Sequence, residues 1–112
     1  MITDPAKITE ITWAEGCTSR TLSAQGNLSV KLETIAPAAG EQLHLHHQVQ
    51  QVFYILKGEA EFVLNNTIHH LTTGNFINVA PGTIHQIRNS SQNDVTFLVI
   101  SSPPVMNDRT TF

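Results

Sequence analysis

The sequence has 112 residues, of which 40% are hydrophobic and 13% are charged, which is typical of one compact globular domain. The formal net charge is −3, and the six lysines and arginines are scattered singly, so no basic stripe is available for nucleic acid. The first residues lack the basic and apolar segments of a secretory signal, and no later stretch is long enough to span a membrane. We therefore expect a cytoplasmic protein that binds neither nucleic acid nor a membrane.

Apolar and polar residues alternate along much of the chain, and no window shows the spacing of an amphipathic helix. In residues 28–33, Leu28, Val30 and Leu32 share one face, which we expect to be the buried one. Residues 59–64 repeat the pattern. The sequence therefore predicts an all-β protein of about eight strands, either a sandwich or a barrel.

Residues 51–56 differ, because they are apolar on both faces of the predicted strand. One face of this strand would line the interior. The other apolar face would have to be buried against something else, and a partner subunit is one candidate. This pattern predicts a homodimer. Asn65-Asn66, directly after the next predicted strand, is expected to form a two-residue hairpin turn, because asparagine tolerates the positive φ that such turns require.

Six histidines occur in this short chain, and three of them cluster at residues 44–47. On an extended strand His44 and His46 point to the same face, about 7 Å apart, and His47 points to the other. Gln51 lies five residues after His46 and would point into the same interior from the next strand. His85 begins a new strand after a turn, so folding must bring it from a distant segment.

These residues lie in two segments that resemble the paired motifs of the cupin superfamily. The first segment reads Gly40, His44-Leu45-His46, four residues, Gln51, six residues and Gly58. The second reads Gly74, five residues, Ala80-Pro81-Gly82, two residues, His85, three residues and Asn89. In this chain Gly40 lies closer to the histidines than usual, Ala80 replaces a proline, and Gln51 replaces a glutamate.

The resemblance implies a double-stranded β-helix, the jelly-roll barrel of cupins. We expect one domain over residues 1–112, with a barrel core at about 28–101 and a short irregular tail at 102–112. The resemblance also implies that one divalent metal ion (iron, manganese, nickel or zinc) binds to His44, His46, Gln51 and His85. A neutral amide would hold the ion less tightly than a carboxylate and leave it more electrophilic.

Other side chains receive weaker assignments. We expect the pocket wall to include Phe53, Phe62, Phe76, Ile87 and Phe97. Tyr54 and Arg88 should point away from the cavity, and His47, His69 and His70 should lie at the surface or pack across strands. In the tail, Asp108 and Arg109 could fold back over the barrel mouth or reach a partner chain, although most such tails stay solvated.

Three functions remain open. An enzyme, either a dioxygenase, an isomerase or a lyase, would bind a small anionic or oxygen-chelating molecule at two open positions on the metal. A non-catalytic binding or sensing module would need only the pocket. A metal-free sugar isomerase or epimerase would need an acid and a base in the cavity, and the sequence does not identify them.

Overall fold

A computed structural model describes residues 2–112 of the chain. One short 3-10 turn, Pro5–Lys7, precedes the strands. The eleven strands in this part of the chain are β1 Ile11–Ala14, β2 Cys17–Gln25, β3 Leu28–Ile35, β4 His44–His46, β5 Gln50–Lys57, β6 Glu59–Leu64, β7 Thr67–Thr72, β8 Phe76–Val79, β9 His85–Arg88, β10 Val95–Ser102 and β11 Arg109–Thr111. The predicted all-β class is confirmed.

The strands form two antiparallel sheets. A six-stranded sheet has the order β1-β2-β3-β10-β5-β8, and a five-stranded sheet has the order β11-β4-β9-β6-β7. The sheets face each other, because Phe53 of the first sheet packs against Phe62 of the second with ring centroids 4.9 Å apart. This arrangement of non-consecutive strands confirms the predicted double-stranded β-helix.

The core lies between the sheets and is made by every second residue of each central strand. On β10 the buried residues are Val95, Phe97, Val99 and Ser101, while the residues between them are half-buried. This is the period of two that an extended strand imposes. At one end of the barrel the buried row changes from apolar to polar residues, and there the functional side chains lie.

Strand β3 faces in the opposite direction from the one expected. Lys31 and Glu33 pair directly with Val99 and Phe97 of β10, and paired residues of an antiparallel sheet project from the same face. The polar face of β3 therefore points into the barrel, and the expectation that Leu28, Val30 and Leu32 are buried is wrong. The alternation showed that the strand has two faces, but the register with β10 determines which one is inside.

The expectation of an irregular tail is also wrong. Residues 109–111 form β11, which pairs with β4 so that Arg109 lies opposite His46. The Asp108 carboxylate accepts hydrogen bonds of 3.1 to 3.2 Å from the backbone N–H groups of residues 47–49. The tail thus folds back onto the hairpin that carries the clustered histidines, which is the first of the outcomes considered for Asp108 and Arg109.

Turn geometry agrees with the sequence at the β6–β7 hairpin, where Asn65 and Asn66 have φ angles of 48° and 67°.

Within residues 2–112, no helix has the length and apolar character needed to cross a membrane.

Two motif glycines allow a matched test of backbone strain. Gly58 and Gly74 both have φ of +89°, but a β-carbon at Gly58 would lie 2.6 Å from the Asp94 carbonyl oxygen, whereas one at Gly74 would meet nothing within 4 Å. Gly74→Ala should cost about 1 kcal/mol from the positive φ alone, and Gly58→Ala should cost about 1 to 2 kcal/mol more. Urea denaturation measures both, and equal losses would contradict a steric role for Gly58.

Candidate metal site

Three histidines meet at the polar end of the barrel. His44 and His85 are a directly opposed pair between β4 and β9, and His46 lies two residues along β4 on the same face. The ring centroids are 4.3 Å apart for His44 and His85, 5.0 Å for His44 and His46, and 5.7 Å for His46 and His85. Their nearest ring nitrogens all lie within 4.8 Å of one another, which is close enough for one ion.

Backbone carbonyl groups orient two of the rings. His44 Nδ1 lies 2.6 Å from the Gln42 carbonyl oxygen, and His85 Nδ1 lies 2.8 Å from that of Thr83. Because a carbonyl oxygen only accepts, each Nδ1 carries the proton and donates it, and each Nε2 keeps a lone pair. This is the arrangement that metal-binding histidines use.

The His46 ring lacks such an anchor. Its Nδ1 atom is buried and has no hydrogen-bond partner within residues 2–112. A buried polar atom without a partner is costly, and such atoms are concentrated at functional sites.

Gln51 completes the cluster from β5. Its Nε2 donates to Ser101 Oγ at 3.1 Å, and its Oε1 lies 3.2 Å from His85 Nε2. Since the proton of His85 is on Nδ1, this contact brings two lone-pair atoms together. A cation bound to both atoms would turn the repulsion into attraction, so three imidazole nitrogens and one amide oxygen fit a divalent transition metal.

Burial keeps these histidines neutral. Desolvation lowers the pKa of His44 to about 4, and desolvation together with the nearby His85 lowers the pKa of His46 to about 4. Desolvation also lowers the pKa of His85. The neutral imidazole is the form that coordinates a metal, so the site is held in its binding form through the neutral pH range.

A cavity of about 460 Å³ opens onto His44, His46 and Gln51. Its wall also carries four charged side chains that were not assigned to the site from the sequence: Lys31, Glu33, Glu41 and Arg109. Lys31 and Glu33 belong to the alternating pattern of β3, but that pattern alone placed them on the outer face of the strand. Nothing in the spacing of Glu41 distinguished it from other glutamates.

The predicted pocket wall is only partly correct. Phe53 lines the cavity, whereas Phe62, Ile87 and Phe97 are fully buried in the core beneath it. The Phe62 ring stacks on His85, with centroids 6.0 Å apart and planes 6° apart. Phe76 is 58% exposed and lies opposite Tyr54 on the outer face of the sheet, so its assignment to the pocket is wrong.

The remaining polar candidates lie outside the cavity, as expected. His47 is exposed, and its Nε2 is 2.8 Å from Thr110 Oγ1. His69 and His70 are exposed on β7. Arg88 donates to the Glu61 carboxylate at 2.8 and 3.1 Å, and Tyr54 is 36% exposed.

Comparison with known proteins agrees with this architecture. A family model described as the cupin domain matches residues 31–101. A sequence search finds an uncharacterized protein of Methanocaldococcus jannaschii that is 30% identical over 79 residues, 70% of this chain and 63% of the relative. The matched segment thus spans less than two thirds of that relative's length.

Solved structures share the fold. KdgF from Halomonas sp. superposes with a TM-score of 0.84 at 17% identity, covering 89% of this chain and 90% of that one. A cupin from Silicibacter pomeroyi described as a sugar phosphate isomerase gives 0.83 at 19% identity, covering 93% and 76%. An RmlC-like cupin from Shewanella frigidimarina gives 0.82 at 20% identity, covering 91% and 89%.

The fold and the three-histidine cluster define a cupin barrel with a candidate metal centre. With the family model matching most of its length, the chain belongs to the cupin family.

The lowered pKa values predict how acid affects metal binding. A sequence-based expectation would be loss of affinity below about pH 6.5, the usual histidine pKa. With folded-state pKa values of about 4 for His44 and His46, protons should compete strongly only below about pH 5. Calorimetric titration with Zn²⁺ over a pH series measures this, and a midpoint near pH 6.5 would contradict it.

The same shifts affect the metal-free protein. The unfolded chain binds protons on these histidines from about pH 6.5 downward, before the folded chain does. Their contribution to stability is therefore complete above about pH 6.5 and is lost as the pH falls toward 4.

Proposed function

We propose that this cupin binds one divalent metal ion (iron, manganese, nickel or zinc) on His44, His46, Gln51 and His85, and uses it to transform a small anionic or oxygen-chelating molecule. The observation that carries this proposal is the 3.2 Å contact between Gln51 Oε1 and His85 Nε2. Both atoms present lone pairs to each other, and ring nitrogens of His44 and His46 lie within 4.8 Å of that of His85.

The cationic side chains of the cavity favour an anionic ligand. Lys31 and Arg109 line its wall, and within residues 2–112 neither forms an ion pair. Cations without partners that line a concave site attract negative charge and orient it. A cavity of about 460 Å³ suits a small molecule.

A bound divalent ion would supply Lewis-acid polarisation of a substrate oxygen. The chain itself provides binding through Lys31 and Arg109, an apolar floor at Phe53, and proton-transfer groups at Glu33 and Glu41. We favour isomerase or lyase chemistry over dioxygenation because these carboxyl groups line the same cavity. The descriptions of structural neighbours as a sugar phosphate isomerase and KdgF are compatible with that choice.

A non-catalytic binding or sensing role is the alternative. Such a module would need only the pocket and no acid or base, but Glu33 and Glu41 line the cavity. We infer that catalysis is the better proposal. A cytoplasmic setting with a small-molecule ligand, and without nucleic acid or membrane, remains our expectation from composition and the single buried cysteine, Cys17.

Metal analysis tests the proposed site. After reconstitution, wild-type protein should hold about one ion per chain, His44→Ala should hold none, and Gln51→Ala should bind about 10-fold to 100-fold more weakly. Gln51→Glu should bind more tightly, because a carboxylate is a stronger ligand. His69→Ala, an exposed histidine on β7, is the matched control. A wild-type protein without stoichiometric metal would overturn the proposal.

We also propose that the protein is a homodimer. The outer face of the six-stranded sheet carries a row of Leu32, Leu98, Tyr54 and Phe76, and a second row of Val30, Ile100 and Val52. These seven residues, which we call the outer patch, are all uncharged, and Arg20 of β2 lies beside Leu32 at the edge of the patch. A second copy of the same patch is its natural partner, because a two-fold axis sets like surfaces against each other.

The oligomeric state tests the outer patch. Sedimentation equilibrium should give twice the chain mass of 12.3 kDa for wild type, and Leu98→Arg or Tyr54→Arg should give the monomer. Ile68→Arg, at an exposed apolar residue of the other sheet, should remain dimeric. Circular dichroism confirms that each variant is folded. A monomeric wild type, or dimers unaffected by both patch variants, would refute this interface.

A further inference from the structure

Two glutamates, Glu33 and Glu41, line two adjoining cavities. Glu33 on β3 and Glu41 just before β4 line the cavity that opens onto His44 and His46. They also line an adjoining cavity of about 620 Å³, whose wall includes Ile11 and Trp13 of β1. Lys31 and Arg109 are common to both cavities as well. A substrate bound at the histidines and extending outward would therefore pass these four charged side chains.

Backbone contacts hold Glu41 in place. Its Oε1 accepts a hydrogen bond of 3.1 Å from the Ile87 N–H, and its own N–H donates to the Ile87 carbonyl oxygen at 3.1 Å. Its carbonyl oxygen accepts from Gln86 Nε2 at 2.8 Å. Within residues 2–112, its second carboxyl oxygen, Oε2, has no hydrogen-bond partner. The carboxyl group is thus fixed beside the strand that carries His85, with one oxygen free to meet a ligand.

The two carboxyl groups share an environment that disfavours double ionisation. Burial, followed by the charge of Glu33, raises the pKa of Glu41 to about 8. Burial also raises the pKa of Glu33, although Lys31 and Arg109 oppose that change. Two carboxyl groups in one cavity tend to hold a single proton between them. The pKa of about 8 keeps Glu41 protonated at neutral pH, and the charges of Lys31 and Arg109 favour the carboxylate form of Glu33.

We propose that Glu33 and Glu41 are the catalytic base and the catalytic acid of a proton-transfer isomerisation, whose substrate is a small hydroxy-carbonyl molecule bearing an anionic group. This inference rests on the proposed metal site, because the substrate oxygens would be held at the three histidines and Gln51. Lys31 and Arg109 would bind the anionic group.

The reaction balances without an oxidant or a reductant. The Glu33 carboxylate takes the proton from the carbon beside the carbonyl, and that C–H electron pair forms the C=C bond of an enediol. The carbonyl oxygen receives the electron pair of its π bond and takes the proton from Glu41. In the second half, Glu41 takes the proton of the other hydroxyl, and Glu33 returns its proton to the former carbonyl carbon. Both carboxyl groups end as they began.

The shared proton can be tested in metal-free protein, independently of activity. Carbon-13 NMR of protein labelled at the glutamate carboxyls should show one group that titrates near pH 8. That signal should vanish in Glu41→Gln and titrate at lower pH in Glu33→Gln, because removing the Glu33 charge removes one cause of the shift. The charged or titratable groups around it are Lys31, Glu33, His44, His46 and Arg109. If Glu41 titrates like the surface glutamates, the pair is not coupled and the proposal fails.

Catalysis is tested by deuterium exchange. Metal-loaded protein in D₂O would be incubated separately with dihydroxyacetone phosphate, fructose 6-phosphate and glucuronate, and exchange at the carbon beside the carbonyl followed by proton NMR. At least one probe should exchange, and Glu33→Gln and Glu41→Gln should slow it by about 100-fold or more. The phosphate and carboxylate probes distinguish the two kinds of anionic group.

Glu59→Gln, at an exposed glutamate of β6, is the control and should exchange at the wild-type rate. Metal content is measured for every variant. If wild type binds no metal, the proposed function fails, whereas the titration still reports on the carboxyl pair. If metal is bound but no probe exchanges, or exchange is insensitive to both substitutions, the assignment of acid and base is wrong.

Discussion

Two backbone carbonyl groups, those of Gln42 and Thr83, determine the chemistry at the end of this barrel. By accepting hydrogen bonds from Nδ1 of His44 and His85, they fix the proton position of each ring and direct each Nε2 lone pair toward one point. Gln51 Oε1 and His85 Nε2, which lie 3.2 Å apart, are then both acceptors. A cation between them would relieve their repulsion, so the cluster is suited to bind one. Burial reinforces the arrangement, since it lowers the pKa of all three histidines and keeps them neutral.

The barrel interior is divided between packing and binding. Phe53, Phe62 and Phe97 form an aromatic core, and Phe62 stacks directly beneath His85. Above that layer the inward residues become polar, from Ser101 on β10 to Lys31 on β3. The aromatic layer restricts the movement of His85, because a stacked ring in a dense interior cannot rotate freely. A small core therefore supports a polar cavity, and the returning tail adds further contacts through Asp108 and β11.

The charges of the cavity favour one class of function. A binding module could use Lys31 and Arg109 to hold an anion, but it would have no need of two carboxyl groups in the same wall. Burying Glu33 and Glu41 together has a cost, which appears as the raised pKa of each. Buried carboxyl groups with strongly shifted pKa values are common in active sites, where a side chain has to give or take a proton. The proton-transferring enzyme that we propose would use both pairs of charges.

The sequence alone identified the residues whose role depends on local spacing. His44 and His46 alternate on a strand and so share a face, Asn65-Asn66 tolerates a two-residue turn, and Pro81-Gly82 marks the turn before His85. These inferences needed only the periods of extended backbone and the conformational preferences of single residues. The resemblance to cupins added Gln51 and His85 to the same candidate site.

Only the tertiary structure decided which faces are inside and which distant segments meet. Register with β10 turned Lys31 and Glu33 inward and left Leu32 outside, and pairing with Tyr54 of β5 left Phe76 outside, against the simple expectation that apolar faces are buried. Closure of the barrel brought Glu41 and Arg109 to the same cavity from segments 68 residues apart in sequence. Strand alternation distinguishes two faces without assigning either to the interior, and that assignment depends on pairing between strands that are far apart along the chain.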